Sequence, residues 1–322
     1  MGIKIKPIYS RFHSFGGIRL IQEYYRMGLL PMIVKQTIQT ILHRHSLERV
    51  VDSAYYEVDK FLRKKYYPLM LQLIDKYSNI EKGETSSIIW FCWLQGIEKA
   101  PTLVKACLAS QKKFIPDKEH VIITLDTYKQ YITLPEFIEE KYKKGKIPHA
   151  LFSDLIRLEL LIRHGGTWID STVLCTGNTY PKEYLDCDLF MFQYIRQKDK
   201  AFAGISNWFI SARSNNRYLL VLRDMLYQYW KDYDCTLEYY IFHRFFGMIA
   251  KECPEVIRDM PKGYNPTPIL LGRRLNDDFD EKWMQKLTDI CCFHKTTYRI
   301  KKGTLQNKNS FYSKIIEKYS GK

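Results

Sequence analysis

The chain has 322 residues, 46% of them apolar and 15% aromatic, enough to bury a sizeable core, which excludes a disordered chain. Lys and Arg outnumber Asp and Glu by 50 to 35, a formal charge of +15, and such an excess favours anionic partners: nucleic acid, phospholipid head groups or phosphorylated substrates. No segment approaches the roughly eighteen apolar residues of a membrane-spanning helix, and Lys4 and Lys6 precede no continuous apolar stretch of the secretory kind, so an intracellular, cytoplasmic protein is expected.

Residues 1–85 read as a helical N-terminal extension, with Ile18, Ile21 and Tyr25, then Ile38, Ile41 and Leu42, recurring at helical spacing. Arg11, Arg19, Arg26, Lys35, His43, Arg44 and His45 mix with Tyr24 and Tyr25, a composition that suits either contact with an anionic membrane surface or a helical cap on the main domain. Pro68 is expected to break the helix that contains it. From residue 86 the pattern changes. Residues 88–94 form a short, wholly apolar run, as a strand buried on both faces requires, and Gln95-Gly96 ends it. A helix over 102–112 and a second buried strand over 120–125, ending at Asp126, give the strand–helix–strand order of a parallel α/β sheet. Helices come next over 135–144 and 150–164, then a short strand over 167–170 that delivers Asp170 at its end. Strands over 189–195 and 205–212, and helices over 216–233 and 236–251, complete a domain that spans 86–300, and residues 301–322 read as a basic tail.

In an open parallel sheet, ligands bind beyond the carboxyl ends of the strands. Gln95-Gly96, Asp126 and Asp170-Ser171-Thr172 fall at such ends and are expected to share one crevice. Asp154 and Arg157 lie three apart on one helix face beside Leu and Ile side chains. A charged pair next to an apolar stripe is costly unless it pairs closely or holds a ligand. Gly165-Gly166 either ends that helix or lets the backbone approach a ligand closely. Asp170 is either a turn residue or, with phosphate oxygens and water, a ligand for a hard cation such as Mg²⁺ or Mn²⁺. Asn207, in the strand over 205–212, is a candidate on the acceptor side. The eight cysteines form no CxxC pair, which argues against a zinc ribbon or a thioredoxin motif, and GxxxxGK[ST], GxGxxG, HExxH and GxSxG are all absent.

Together, Trp93-Leu94-Gln95-Gly96, Ser153-Asp154-Leu155-Ile156-Arg157 and Gly165-Gly166-Thr167-Trp168-Ile169-Asp170-Ser171-Thr172 resemble the capsular polysaccharide synthesis proteins. These are similar to glycosyltransferase family 32, which includes yeast-type mannosyltransferases and the sugar-transferring domains of clostridial toxins. The resemblance covers 86–174 closely and the chain to about 297 more loosely. It implies a GT-A-type α/β fold, a single nucleotide-binding domain with a mixed, mostly parallel sheet. It also implies a retaining hexosyl-type transferase that moves a sugar from a nucleoside diphosphate sugar to a glycan or lipid-linked oligosaccharide acceptor, in capsular or other surface polysaccharide synthesis. Under it, Trp93 stacks on the base, Gln95, Gly96 and Asp126 lie beside the nucleoside, and Ser153, Asp154, Arg157, Gly165 and Gly166 belong to the donor site. Asp170 holds a Mn²⁺ or Mg²⁺ ion at the diphosphate. The family's second metal carboxylate is Thr172 here, which reaches a metal through water, and His294 is a further candidate ligand by position. No nucleic acid is expected as a partner, and the basic surface is expected to rest on the inner face of the plasma membrane. The competing readings are a nucleotidyltransferase-like phosphate enzyme, a basic membrane- or RNA-binding protein, and a transferase relative that binds nucleotide without turnover.

Overall fold

The computed structural model of the chain describes residues 17–42, 47–194 and 204–319. Lys4, Lys6, Arg11, His43, Arg44 and His45, together with the last residue of the 189–195 strand and the last three of the tail, lie outside them. Three helices come first: α1 (Ile18–Arg26), α2 (Leu30–Leu42) and α3 (Leu47–Lys76). Pro68 does not break α3. The helix buries Val58, Leu62, Tyr66, Met70 and Leu73 at helical spacing against two later helices, while Pro68 faces solvent. Tertiary packing of the buried stripe outweighs the local cost of the proline, and water can meet the carbonyl left without a donor.

The central sheet is built from β1 (Ile88–Cys92), β2 (Glu119–Ile123), β3 (Gly166–Ile169), β5 (Leu189–Gln193) and β6 (Ile205–Ala212), in the order β2-β1-β3-β6-β5. β2, β1 and β3 are mutually parallel, and β6 pairs antiparallel with both β3 and β5. β6 is therefore the single reversed strand, and the sheet is mixed and mostly parallel, as expected. Side chains alternate across it. Trp90 and Cys92 join the large core on one face, and Ile89 and Phe91 pack on the other. The first face carries α3, α6 (His149–His164), α7 (Arg217–Asp232) and α8 (Ile241–Glu252). The second carries α4 (Thr102–Phe114) and a small antiparallel pair, β4 (Val173–Cys175) with β7 (Phe293–Lys295). Among the remaining elements are α5 (Glu136–Lys143), α9 (Glu255–Arg258), α10 (Leu270–Arg274), α11 (Glu281–Ile290) and α12 (Phe311–Tyr319).

Two boundaries differ from expectation for local reasons. The helix expected from residue 236 starts at Ile241, because the Leu237 amide is taken by the Tyr229 hydroxyl at 2.8 Å and the Tyr240 amide by Glu238 Oε1 at 2.9 Å. The basic tail expected from residue 301 instead folds back as α12, which buries Phe311, Ile315 and Tyr319 at four-residue spacing over Cys107 and Leu103 of α4.

The glycine pair sets the turn from α6 into β3. Gly165 and Gly166 both have positive φ, +66° and +91°. A Cβ on Gly166 would stand 2.5 Å from the Ile88 carbonyl oxygen. Gly166→Ala therefore combines backbone strain with overlap against a central strand and is expected to cost about 2–5 kcal/mol, read as a shifted urea midpoint at unchanged m.

Candidate active site

The α6–β3 turn reverses the chain, so the first turns of α6 lie beside the carboxyl end of β3. There, four charged side chains from three elements meet. Arg157 Nη1 donates to Asp154 Oδ1 at 2.9 Å, and Nη2 donates to Asp170 Oδ1 at 3.0 Å. Trp168 Nε1 donates to the same Asp170 oxygen at 2.8 Å, and the guanidinium carbon lies 4.5 Å from the Trp168 ring centre. Lys295 Nζ reaches the other oxygen, Asp170 Oδ2, at 2.8 Å and Thr172 Oγ1 at 2.5 Å. Because β6 runs backwards, its first residues lie at this same end, and Asn207 Nδ2 donates to Asp154 Oδ1 at 2.9 Å.

The group is graded in depth. The Arg157 side chain is 4% exposed and that of Asp154 is 10% exposed, whereas Asp170 and Lys295 keep 22% and 27% and open to solvent. Burial pushes the Asp154 carboxyl up to about 7, and Asp170 nearby adds to the rise, against the pull of Arg157 and Asn207. Asp170 goes the other way. Burial would raise it, but Lys295 and Arg157 together hold it below the usual carboxylate range. His243 of α8, pressed down to about 3 by burial and by Arg157, adds no charge near neutral pH. Two carboxyls thus have opposed acidities in one cleft, a pattern typical of functional sites.

The remaining expected residues divide. Trp93, just past β1, is half-buried, its Nε1 is buried with no acceptor among the described residues, and its ring meets Tyr298 edge-to-face at 5.5 Å. Gln95 is exposed, and Gly96 turns the chain at φ +86° with open space beside it. Asp126 is exposed in the turn after β2, its amide held by Thr124 Oγ1. All four lie at the carboxyl ends of β1 and β2. Ser153 Oγ is turned onto the Ala150 carbonyl within α6 at 2.9 Å. Gly165 and Gly166 are not brought to the crevice. They sit at the opposite end of β3 from Asp170, roughly 13 Å away at strand rise, where they pack against the backbones of Glu84, Ile88 and Ser214. His294 also points elsewhere. It is buried, its Nε2 lies 2.9 Å from Thr176 Oγ1, and burial lowers it to about 4. Alternation along β7 turns its neighbour Lys295 toward Asp170 instead. Lys295 is the residue that sequence reading missed. Its only local signal is that alternation beside His294, and its partner is fixed by the Val173–Lys295 register.

A hard divalent cation prefers about six oxygen ligands. Among the described residues, no three His, Cys, Asp or Glu side chains converge on one point. Asp170 is the more exposed of the two carboxylates of the cluster, and both its oxygens are already engaged by Arg157, Trp168 and Lys295. This donor set does not fit a divalent cation.

No curated protein matches the chain significantly. Among solved structures, one described as PaToxG Glycosyltransferase aligns with 17% identity over 62% of this chain and 82% of its own, at a TM-score of 0.39. Among the described residues no helix is long and apolar enough to cross a membrane. The family model described as capsular polysaccharide synthesis protein matches residues 31–315, and the chain belongs to that family.

Proposed function

We propose that this protein is a glycosyltransferase that moves a sugar from a nucleoside diphosphate sugar to a hydroxyl of a glycan or lipid-linked acceptor during capsular polysaccharide synthesis. The observation that carries the proposal is the four-residue charge cluster at the carboxyl ends of β1–β3. There a buried guanidinium sits beneath a part-exposed carboxylate and ammonium, at the end of the sheet where β1 also delivers the half-buried Trp93 ring. The family supports the polysaccharide context, and the sheet, with its crevice at the strand ends, suits a GT-A-type nucleotide site.

In this reading the nucleoside lies along the ends of β1 and β2, between Trp93 and Asp126, and the diphosphate extends over Asp170 toward Arg157. Asp154 and Asn207 orient the sugar, which places the acceptor side next to β6. The anomeric carbon–oxygen bond breaks with its electron pair moving onto the diphosphate, while the acceptor oxygen bonds to the same carbon and releases its proton to solvent. Fixed cations at the place where that negative charge develops stabilise the transition state without reorganising. Retention at the anomeric carbon, taken from the resemblance, is checked by the anomer that first appears in NMR of the product.

The test is a panel of nucleotide sugars assayed for binding and slow hydrolysis, for wild type and for Asp170→Asn. One donor bound and hydrolysed by wild type alone supports the proposal and names the sugar. Binding of none, with steeply salt-dependent binding of RNA instead, points to the basic-surface reading. A pH profile adds a sign. An ionised Asp154 accepts hydrogen bonds from the sugar hydroxyls, so turnover is expected to fall as pH drops through about 7, and the bend to vanish in Asp154→Asn. In the free protein the same weakened acidity of Asp154 means that stability is lost as pH rises from the ordinary carboxylate range through about 7.

The N-terminal helices support contact with an anionic membrane. α1 exposes Ile18 and Tyr25 at 72% and 73% beside Arg19 and Arg26, and Val34 and Ile38 of α2 are also exposed. Co-sedimentation with phosphatidylglycerol vesicles, but not with phosphatidylcholine, is expected, and Ile18→Ser with Tyr25→Ser should remove most of it. Equal recovery with both lipids would end this part of the proposal.

A further inference from the structure

We propose that Lys295 supplies the fixed positive charge against the donor's diphosphate, at the position beside Asp170 and Thr172 where a divalent cation would otherwise bridge protein and phosphate. The proposal rests on the nucleotide-sugar reading and deepens it by assigning the counter-charge to a side chain.

The first argument is position. β7 pairs with β4 in a register that sets Lys295 opposite Val173, just past the 170–172 turn. From there the ammonium spans the two positions, two residues apart, that would present oxygens to a cation, at 2.8 Å from Asp170 Oδ2 and 2.5 Å from Thr172 Oγ1. An ammonium carries three protons and two are used here. Among the described residues the third meets no acceptor, and the side chain is part-exposed at the crevice.

Charge balance gives the second argument. Arg157 and Lys295 outweigh the ionised Asp170 by one positive charge while Asp154 keeps its proton, and they balance both carboxylates once Asp154 ionises above about 7, so the cluster is never net negative toward an arriving anion. A second carboxylate in place of Thr172 would make the ionised cluster net negative and make an added cation necessary. A neutral Thr172 and a cationic Lys295 are consistent with each other as one arrangement.

The third argument is preorganisation. The strand that carries Lys295 is pinned on both sides. Its own amide donates to the Pro268 carbonyl at 2.9 Å, and Thr296 donates to the Thr172 carbonyl through its amide at 2.9 Å and its hydroxyl at 2.6 Å. The ammonium is thus held at the turn before any ligand arrives, as an electrostatic catalyst requires. In the transfer, the electron pair of the breaking carbon–oxygen bond moves onto the diphosphate, which Lys295 and Arg157 hold as cations. Neither gives up its proton, and the acceptor's proton goes to solvent.

The experiment measures calorimetric binding of UDP, GDP, CDP and ADP, and hydrolysis of the matching nucleotide sugar, in EDTA and in Mn²⁺. It uses wild type, Lys295→Gln and Lys295→Arg, with the matching nucleoside monophosphate as a control. One diphosphate is expected to bind wild type within about threefold equally in the two conditions. Lys295→Gln should weaken it about 10–100-fold, as the loss of one charged hydrogen bond does, with much less effect on the monophosphate, and Lys295→Arg should restore most of it. A strict Mn²⁺ requirement in wild type overturns the proposal whether or not the variants fold, and so does an unchanged diphosphate affinity in folded Lys295→Gln. In both of those cases the donor reading survives. Failure of wild type to bind any of the four diphosphates in either condition removes that reading and this proposal together.

Discussion

Asp170→Asn is expected to lower donor hydrolysis by roughly 10²–10³-fold in a protein that still folds. Asp170 accepts from Arg157, Trp168 and Lys295 at 3.0, 2.8 and 2.8 Å, so its carboxylate positions both cations of the cluster. An amide keeps the shape but offers one acceptor oxygen instead of two, and turns an N–H toward one of these donors. The cations then lose their common anchor, and the geometry aimed at the diphosphate loosens. The stability signature has a definite sign. Because the folded carboxyl sits below its ordinary range, its contribution is present above that range and is lost as pH falls through the folded value. The melting-temperature gap between wild type and variant should therefore be widest near neutral pH and close in acid. Hydrolysis by the variant within threefold of wild type would place the chemistry outside this crevice.

Arg157 carries the second large effect, on stability as well as on turnover. Its side chain is almost fully buried between two carboxylates and above the Trp168 ring. Arg157→Leu strands Asp154 in an apolar helix face, and breaking a buried pair in this way costs about 3–5 kcal/mol. Asp154, already raised to about 7, loses the cation that favours its ionised form and rises further. A raised carboxyl loses stability as pH climbs to its folded value, so the deficit of the variant should widen above about pH 7 in urea titrations. Arg157→Lys keeps the charge but not the fork that serves Asp154 and Asp170 together, nor the planar stacking on Trp168. It should recover much of the stability while turnover stays about 10²-fold down. Full recovery of both by lysine would mean that charge alone matters at this position.

The sheet was legible because β1, β3 and β5 are buried on both faces, while β2, an edge strand that buries only Val121 and Ile123, still carries a β-branched run. The apolar run at 88–94 and the one at 120–125 leave no helical periodicity to compete, and 205–212 coincides with β6. Pro68 misled because a proline acts locally, whereas the buried stripe of α3 runs over several turns. The site was legible where neighbours in sequence are neighbours in space. Asp154 and Arg157 share a helix face, and Asp170 ends a strand. It was illegible where pairing decides. Gly165 and Gly166 sit only a few residues before Asp170, but a strand is straight, so that separation takes them to the far end of β3. Lys295 approaches from the opposite direction, far away in sequence and close through the register of β4 with β7.

That register also orders events in time. All five strands of the central sheet have been synthesised once Ala212 is added, so the first core can collapse around β1, β3 and β6 early. The ammonium that balances Asp170 lies 125 residues further along than Asp170 itself. Closing a contact of that span is slow compared with local helix and strand formation. On the ribosome, an early folding intermediate would hold Arg157 between its carboxylates with the mouth of the crevice still lacking its second cation. Anion affinity would then be among the last properties the nascent protein acquires, and nucleotide binding would report the docking of β7 rather than the collapse of the sheet.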